Sequence, residues 1–213
     1  MPDPAHLAAF ALIALGMVLT PGPNMIYLIS RSVTQGPVAG LISLAGVATG
    51  FVVYMLSAAF GITVLMMAVP FAYDALRLAG AGYLLWLAWQ AVRPGGRSAF
   101  QVRDLPHDLP HDRPRKLFLM GLMTNLLNPK AAVLYLSLFP QFIQPGHGSV
   151  LLQSLTLGTV QIVISVTVNA MIALTAGGVA GFLTRHPGWA RAQRWLMGTV
   201  LAGLALRIAT ERR

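Results

Sequence analysis

The sequence predicts an all-α membrane protein in which six transmembrane helices form a 3+3 inverted repeat, with proline-broken first and fourth helices. The chain is 56% apolar and only 10% charged, whereas an ordinary soluble domain carries about 25% charged residues. Two long apolar runs are interrupted, one by Thr20-Pro-Gly-Pro-Asn24 and one by Asn125-Leu-Leu-Asn-Pro-Lys130. Interrupted helices at corresponding places in two halves of a membrane protein indicate a transport site.

Three spans are predicted in the first half of the chain. Leu7 to Ser30 carries no formal charge and is long enough to cross a bilayer, which takes about 20 residues. A second span runs from roughly Ala39 to Met67. Phe71 to Val92 makes a third, with Asp74 and Arg77 in its first turns.

The second half repeats this pattern. A fourth span runs from Leu117 to about Ile143, a fifth from Val150 to Leu183, and a shorter sixth from Trp195 to Ile208. Each half therefore holds an odd number of spans, so the two halves must lie in opposite orientations across the membrane. This count alone predicts the inverted repeat.

The chain divides into a first three-helix repeat (1–93), a basic cytoplasmic loop (94–116) and a second three-helix repeat (117–213). Ten of the fifteen Lys and Arg residues fall in predicted loops one, three and five, against four on the opposite side. The positive-inside rule then places the central loop in the cytoplasm and both termini outside. No basic residue precedes Arg31, so we expect the first apolar run to be a retained span and not a cleaved signal.

Composition also limits the classes of function. The net charge of +9 is explained by the basic loops, because Lys and Arg lie between apolar runs and not along one face, so no nucleic-acid partner is expected. The chain has no cysteine, which excludes disulfides and thiol redox chemistry. The predicted spans lack the His and Glu ligands of a membrane metalloprotease, and the sequence has no phosphate-binding Gly-rich Lys-Ser/Thr motif. No cofactor and no metal site are predicted.

Four stretches of this sequence resemble the LysE/RhtB family of amino-acid exporters. They are Thr20–Asn24, Gly80–Gln90, Asn125–Tyr135 and Ser137–Phe142. The resemblance extends over nearly the whole chain with the stretches in the same order. It implies a six-helix protein of the bacterial inner membrane that exports amino acids or their derivatives and is driven by the proton gradient. Its partners would be an amino-acid substrate, protons and the lipid bilayer.

One departure from that family bears on the substrate. Some members carry an acidic residue in the second span after a Gly-x-x-x-Gly motif, whereas Gly46-Val-Ala-Thr-Gly50 is followed here by Phe51. A second cationic group on the substrate would need a buried carboxylate. We therefore expect a small neutral or branched-chain amino acid, such as threonine, homoserine or leucine. An exporter of basic amino acids or of another small metabolite is the alternative, followed by a channel or a membrane-embedded enzyme.

The candidate substrate-binding residues lie at or near the two interruptions. They are Pro21, Gly22, Pro23, Asn24, Tyr27, Asn125, Asn128, Pro129, Lys130 and Tyr135. The three asparagines either bind a zwitterionic substrate or cap the half-helices whose backbone groups the prolines leave unpaired.

Lys130 is the only formal charge well inside a predicted span. An unpaired charge there costs about 2.5–3.5 kcal/mol on insertion scales, so a functional reason is expected. Lys130 either binds the substrate carboxylate or extends to the membrane interface. Lys130 and Asp74 are the candidates for proton coupling, although Asp74 also stands at the right spacing for an ion pair with Arg77.

Other polar and small residues have two interpretations each. Gly46-Val-Ala-Thr-Gly50 permits close helix packing, either within the protomer or in a homodimer. Tyr54, Ser165, Thr167 and Asn169 either line the pathway or make contacts between helices.

The linker also contains a tandem Leu-Pro-His-Asp. Its His107, Asp108, His111 and Asp112 have the residue types of a metal site. The prolines prevent the helix that would bring these residues together, which favours a loop.

Overall fold

The computed structural model describes residues 3–20, 22–68, 112–144 and 146–185, with scattered positions between residues 78 and 93 and between 188 and 206. Within these residues every regular element is helical. The helices are α1 (Pro4–Leu19), α2 (Pro23–Gln35), α3 (Pro37–Ala68), α4 (Pro114–Leu126), α5 (Pro129–Val133) and α6 (Val150–Arg185). Helix α5 continues through a π-helical turn, Leu134–Leu138, into a 3₁₀ turn, Phe139–Phe142.

Proline sets the beginnings of the first five helices, which start at Pro4, Pro23, Pro37, Pro114 and Pro129. Proline suits this position because its fixed φ is helical and its missing N–H has no partner in the first turn of a helix. Between α2 and α3 the turn is made by Gly36, whose φ of 87° lies in the left-handed region that favours glycine. The sequence therefore determines locally where each of these helices starts.

Two described helices are long and apolar enough to cross a membrane, at Pro37–Gly61 and Val150–Ala176. They confirm the predicted second and fifth spans. Helices α1 and α2 together form a bent pair with an angle of 52°, and Pro114–Leu126 with Pro129–Phe142 form another with an angle of 49°. The described residues thus contain two spans, or four if each bent pair is one span. Most of the predicted third and sixth spans lies outside the described residues.

The distribution of polarity is that of a protein in lipid. Large apolar side chains lie on the outside, among them Leu12, Phe60, Leu127 and Val163, which are 58–79% exposed. Polar side chains are buried inside instead. These are Thr20, Asn24, Ser32, Gln35, Ser43, Asn125, Asn128, Ser137, Gln153, Ser154, Gln161, Ser165 and Asn169. Polar residues inside a membrane protein mark packing contacts or a functional site.

Helices α3 and α4 approach each other backbone to backbone. A Cβ on Gly46 would collide with the carbonyl oxygen of Phe118, and one on Gly121 would collide with the carbonyl oxygen of Ser43. The expectation that Gly46 allows close helix packing within the protomer is therefore confirmed. The homodimer stays a prediction.

The two bent pairs run in opposite directions. In the first half of the first pair, the Phe10 ring lies 5.9 Å from the ring of Phe139 and 5.2 Å from that of Phe142, at the end of the second pair. Near the end of α2, Arg31 donates to the carboxylate of Asp112 at 2.7 Å, just before the second pair begins. The beginning of each pair thus lies beside the end of the other.

Candidate functional site

The bend in the first pair lies between Leu19 and Pro23. The backbone N–H of Thr20 donates to the carbonyls of Gly16 and Met17, both at 3.2 Å, and its hydroxyl donates to Gly16 at 2.8 Å. These bonds close the last turn of α1. Carbonyls at a helix end inside a membrane still need further donors, since lipid offers none.

The bend in the second pair lies between Leu126 and Pro129. Asn128 caps α5, because its side-chain oxygen accepts a hydrogen bond from the backbone N–H of Lys130 at 3.0 Å. The N–H of Asn128 itself donates to the carbonyl of Asn125 at 2.9 Å. Capping, one of the two roles foreseen for the asparagines, is thus realised at Asn128.

Lys130 connects the two bends. Its ammonium group donates to the carbonyl of Met17 at 2.8 Å and to that of Thr20 at 2.6 Å. A side chain from the second pair therefore supplies a donor to two carbonyls at the end of α1. Gly22 leaves the room for this, because a Cβ there would lie 3.1 Å from the lysine nitrogen.

A neutral side chain occupies the equivalent place at the second bend. The Tyr54 hydroxyl, from α3, donates to the carbonyl of Leu126 at 2.9 Å. Its ring stacks on Tyr135, with centroids 5.5 Å apart and planes 12° apart. Tyr54 therefore makes the interhelical contact that was one of its two interpretations.

A chain of hydrogen bonds extends from Tyr135 into α6. The Tyr135 hydroxyl donates to the Gln161 side-chain oxygen at 2.5 Å, and the Gln161 amide nitrogen donates to the Ser165 hydroxyl at 2.7 Å. Asn169 donates from its side-chain nitrogen to the backbone carbonyl of Ser165 at 2.8 Å. All four side chains are buried, so this network fixes their orientations inside the protein.

The Gln161, Ser165 and Asn169 side chains line a cavity of about 30 Å³ between the bent pairs, α3 and α6, whereas the predicted site residue Tyr135 does not line it. The space has room for a water molecule or two but is smaller than an amino acid. Its polar lining residues are Asn24, Asn128, Lys130, Gln161, Ser165 and Asn169. Its apolar wall is made by Ala14, Met17, Val18, Met25, Phe51, Ala131 and Leu134.

The structure brings together some of the predicted site residues. Asn24, Asn128 and Lys130 line the cavity, and Gly22 contacts Lys130. Pro23 and Pro129, whose side chains are exposed, begin the two half-helices beside it.

Other predicted site residues lie away from the cavity. Asn125 is fully buried against Gly50 of α3, and neither polar atom of its side chain has a hydrogen-bond partner. Tyr27 instead donates to the carbonyl of Leu117 at 3.1 Å. Pro21 and Asp74 lie outside the described residues.

The sequence analysis missed Gln161 and left Ser165 and Asn169 undecided. A signal was present, because the three are spaced four residues apart in an uncharged run and must share one helix face. Thr167 is exposed on the opposite side of α6 and does not line the cavity.

Asp112 joins the end of α2 to the start of α4. Its carboxylate accepts hydrogen bonds from Arg31 at 2.7 Å, Gln35 at 3.0 Å and Lys116 at 2.5 Å. The hydrogen bonds from Lys116 and Gln35 hold the pKa of Asp112 below its usual value. Its neighbour in the tandem motif, His111, lies outside the described residues, as do His107 and Asp108.

A helical chain with apolar outer faces, buried polar residues and a lysine joining two bent helix pairs has the features of a membrane transporter. The chain belongs to the LysE type translocator family, whose model matches residues 15–212. This membership identifies a transporter and not an enzyme.

Relatives named as efflux proteins match over almost their whole length. The chain is 31% identical to a leucine efflux protein of Klebsiella pneumoniae, covering 92% of this chain and 91% of the relative. It is 31% identical to a homoserine/homoserine lactone efflux protein of Salmonella typhimurium, covering 96% of each. A leucine efflux protein of Enterobacter is 28% identical, covering 92% of each. No solved structure matches the chain.

Proposed function

We propose that this protein exports small neutral or branched-chain amino acids, of the threonine, homoserine or leucine type, across the bacterial inner membrane in exchange for protons. The observation that carries the proposal is the position of Lys130, whose ammonium joins the two bends beside a polar cavity. Relatives named for leucine efflux and for homoserine efflux support this class of substrate.

The proposed architecture is a 3+3 inverted repeat of six spans with proline-broken first and fourth helices. The opposite directions of the two bent pairs support it, as do the prolines that begin α2 and α5. The repeats would comprise residues 1–93 and 117–213. By the positive-inside rule the basic loop 94–116 would be cytoplasmic and both termini outside.

Lys130 would bind the carboxylate of the substrate. Its ammonium is bonded to two neutral carbonyl oxygens, and a carboxylate is a stronger acceptor for such a donor. Binding would therefore draw Lys130 away from the end of α1. Because an amino acid does not fit the cavity, the same event would have to move the two bent pairs apart.

The charges around the cavity favour a neutral amino acid. Among the described residues no Asp or Glu lines it, and Asp3 and Asp112 lie before the first and second bent pairs, away from the cavity. A second positive group on the substrate would be repelled by Lys130, and no carboxylate of the cavity would compensate its charge. Lysine and arginine would therefore be poor substrates.

Lys130 would also carry the coupling proton. An antiporter needs a group that is protonated in one state and deprotonated in another, and among the described residues Lys130 is the only lysine, arginine or acidic side chain lining the cavity. Asp74, in the predicted third span, is the second candidate.

Transport by the purified protein in proteoliposomes tests this function. An imposed pH gradient should drive accumulation of radiolabelled leucine, homoserine or threonine, and excess unlabelled amino acid should saturate the flux. Arginine and lysine should compete weakly. Selective transport of arginine or lysine would contradict the neutral substrate class, and flux that ignores the pH gradient would contradict proton exchange.

A further inference from the structure

One face of α6 presents three amides and hydroxyls to the cavity. Gln161, Ser165 and Asn169 follow each other at intervals of four residues and are 1–2% exposed. Gln161 has both polar atoms in use, since it accepts from Tyr135 and donates to Ser165. The Gln161 side chain is therefore held in place by the protein, and a ligand group would have to bind to other polar atoms of the cavity.

Two amide oxygens at the cavity have no hydrogen-bond partner. Asn169 is 2% exposed and its nitrogen donates to the Ser165 carbonyl, so its free atom is the oxygen. Asn24, at the start of α2, is 7% exposed and its side-chain oxygen is also unpaired. Buried acceptors without a donor are rare, because each costs the free energy of a lost hydrogen bond.

We propose that Asn24 and Asn169 form the binding subsite for the ammonium group of the substrate. This inference rests on the proposed function and assigns the second pole of the same site. The ligand group must be a hydrogen-bond donor, because both free atoms are oxygens. A protonated amine meets this need and can donate to both oxygens at once.

The rest of the cavity agrees with this assignment. In this structure the carbonyls of Met17 and Thr20 accept from Lys130, whereas the side-chain oxygens of Asn24 and Asn169 have no donor. Lys130 itself is a donor and suits the carboxylate. A zwitterion would thus lie with its carboxylate at the bend and its ammonium between α2 and α6.

The proposal is tested with a substrate analogue that lacks the amine and with a protein variant that lacks one of the two acceptor oxygens. Leucine counterflow is measured in proteoliposomes of the full chain, with leucine or 4-methylpentanoate, its analogue without the amine, as competitor. In the wild-type protein the analogue should compete about ten- to a hundredfold more weakly than leucine. In the Asn169→Leu variant, competition by leucine should weaken by a similar factor, whereas competition by the analogue should be nearly unchanged.

Matched variants separate this role from a structural one. Asn169→Asp keeps an acceptor oxygen and should retain the preference for leucine over its analogue. Thr167→Val changes an exposed residue two positions away on α6 and should leave both competitors unaffected. If neither Asn169 variant reaches the membrane, Asn24→Leu and Asn24→Asp provide the same comparison.

The outcomes distinguish this inference from the proposed function. Equal weakening of leucine and 4-methylpentanoate by Asn169→Leu would overturn the ammonium subsite, and so would an unchanged preference. Either result would leave amino-acid export standing. A wild-type protein that carries neither leucine nor homoserine would remove the proposed function itself and the subsite with it.

Discussion

At each of the two bends, backbone carbonyls at a helix end accept a hydrogen bond from a side chain of another helix. The two bends use different donors. At the first bend, the ammonium of Lys130 donates to the carbonyls of Met17 and Thr20. At the second, the free carbonyl of Leu126 is satisfied by the hydroxyl of Tyr54. One donor is a charge brought from the opposite bent pair, and the other is a neutral group on α3.

The second bend is also braced by close packing. A Cβ on Gly50 would lie 2.7–2.9 Å from side-chain atoms of Asn125, and Tyr54 is one helical turn further along α3. Helix α3 therefore supports this bend at two successive turns. The donor at this bend is a neutral hydroxyl on a tightly packed helix. We therefore do not expect a substrate carboxylate to replace the Leu126 carbonyl as its partner.

The first bend differs because its support is electrostatic. Under the proposed function, a substrate carboxylate would replace the two carbonyls as the partner of Lys130, since charged acceptors make stronger hydrogen bonds. The comparison leads us to interpret the second bend as the fixed support and the first as the part that responds to substrate. Substitutions at the two bends test this division, beginning with the largest expected effect, and one at the Asp112 end serves as a comparison.

Lys130→Met should reduce transport by about 100-fold or more, because it removes the charge and takes the lysine donor from the carbonyls of Met17 and Thr20, of which only Met17 keeps another donor, the N–H of Thr20. Initial rates in proteoliposomes, normalised to the amount of inserted protein, measure this loss. Lys116→Met is the matched control, since Lys116 is the only other lysine and its side chain is 62% exposed. Lys130→Arg should bind substrate and couple it poorly to protons. Wild-type flux in Lys130→Met would mean that the charge is only structural.

Gly50→Ala should destabilise the second bend by about 1–3 kcal/mol, the usual cost of overpacking. The added methyl group must displace Asn125, whose side chain is fully buried. Thermal unfolding in detergent measures the change. Gly61→Ala on the same helix is the control, because a Cβ there has no neighbour within 4 Å. Equal effects of the two substitutions would show that α3 does not brace the bend.

Tyr54→Phe should cost about 0.6–1.5 kcal/mol of unfolding free energy, because it removes one hydrogen bond and keeps the stacking on Tyr135. Transport should fall only a few-fold. If the two bends are as different as proposed, the ratio of transport loss to stability loss will be much larger for Lys130→Met. Similar ratios for both variants would remove the distinction between a responsive and a fixed bend.

Much of the fold could be predicted because it depends on local chemistry. The positions of α3 and α6 follow from long uncharged runs, and the starts of α2 and α5 follow from Pro23 and Pro129. Lys130 was identifiable because a charge within an apolar run needs a reason.

The partners of these residues could not be predicted in the same way. Lys130 binds carbonyls that are 113 and 110 residues away in sequence, and Arg31 binds Asp112 across 81 residues. Such pairings depend on how the helices pack, and one sequence does not encode them in any local pattern. Gln161 was missed for a related reason, because an uncharged amide in an apolar run attracts less notice than a lysine.

The smallest effect is expected at the end held by Asp112, away from both bends. Asp112→Asn keeps an acceptor for Gln35 but loses the charge that attracts Arg31 and Lys116. Solvent screens the pair with Lys116, whose side chain is 62% exposed, so the cost should stay below about 1 kcal/mol. Because hydrogen bonds from Lys116 and Gln35 lower the pKa of Asp112 below its ordinary 3.8, its contribution is complete above that value and is lost as the pH falls through the lowered pKa.

Thermal unfolding of the wild-type protein and Asp112→Asn between pH 3 and pH 8 measures this contribution. The difference between the two should be constant from pH 5 to pH 8 and should shrink only below about pH 4, where the carboxylate begins to take up a proton. Any pH dependence of transport near neutrality must then come from another group, and Lys130 at the bends is the candidate under the proposed function. A difference in stability that changed between pH 6 and pH 8 would show instead that the Asp112 end titrates in the working range of the transporter.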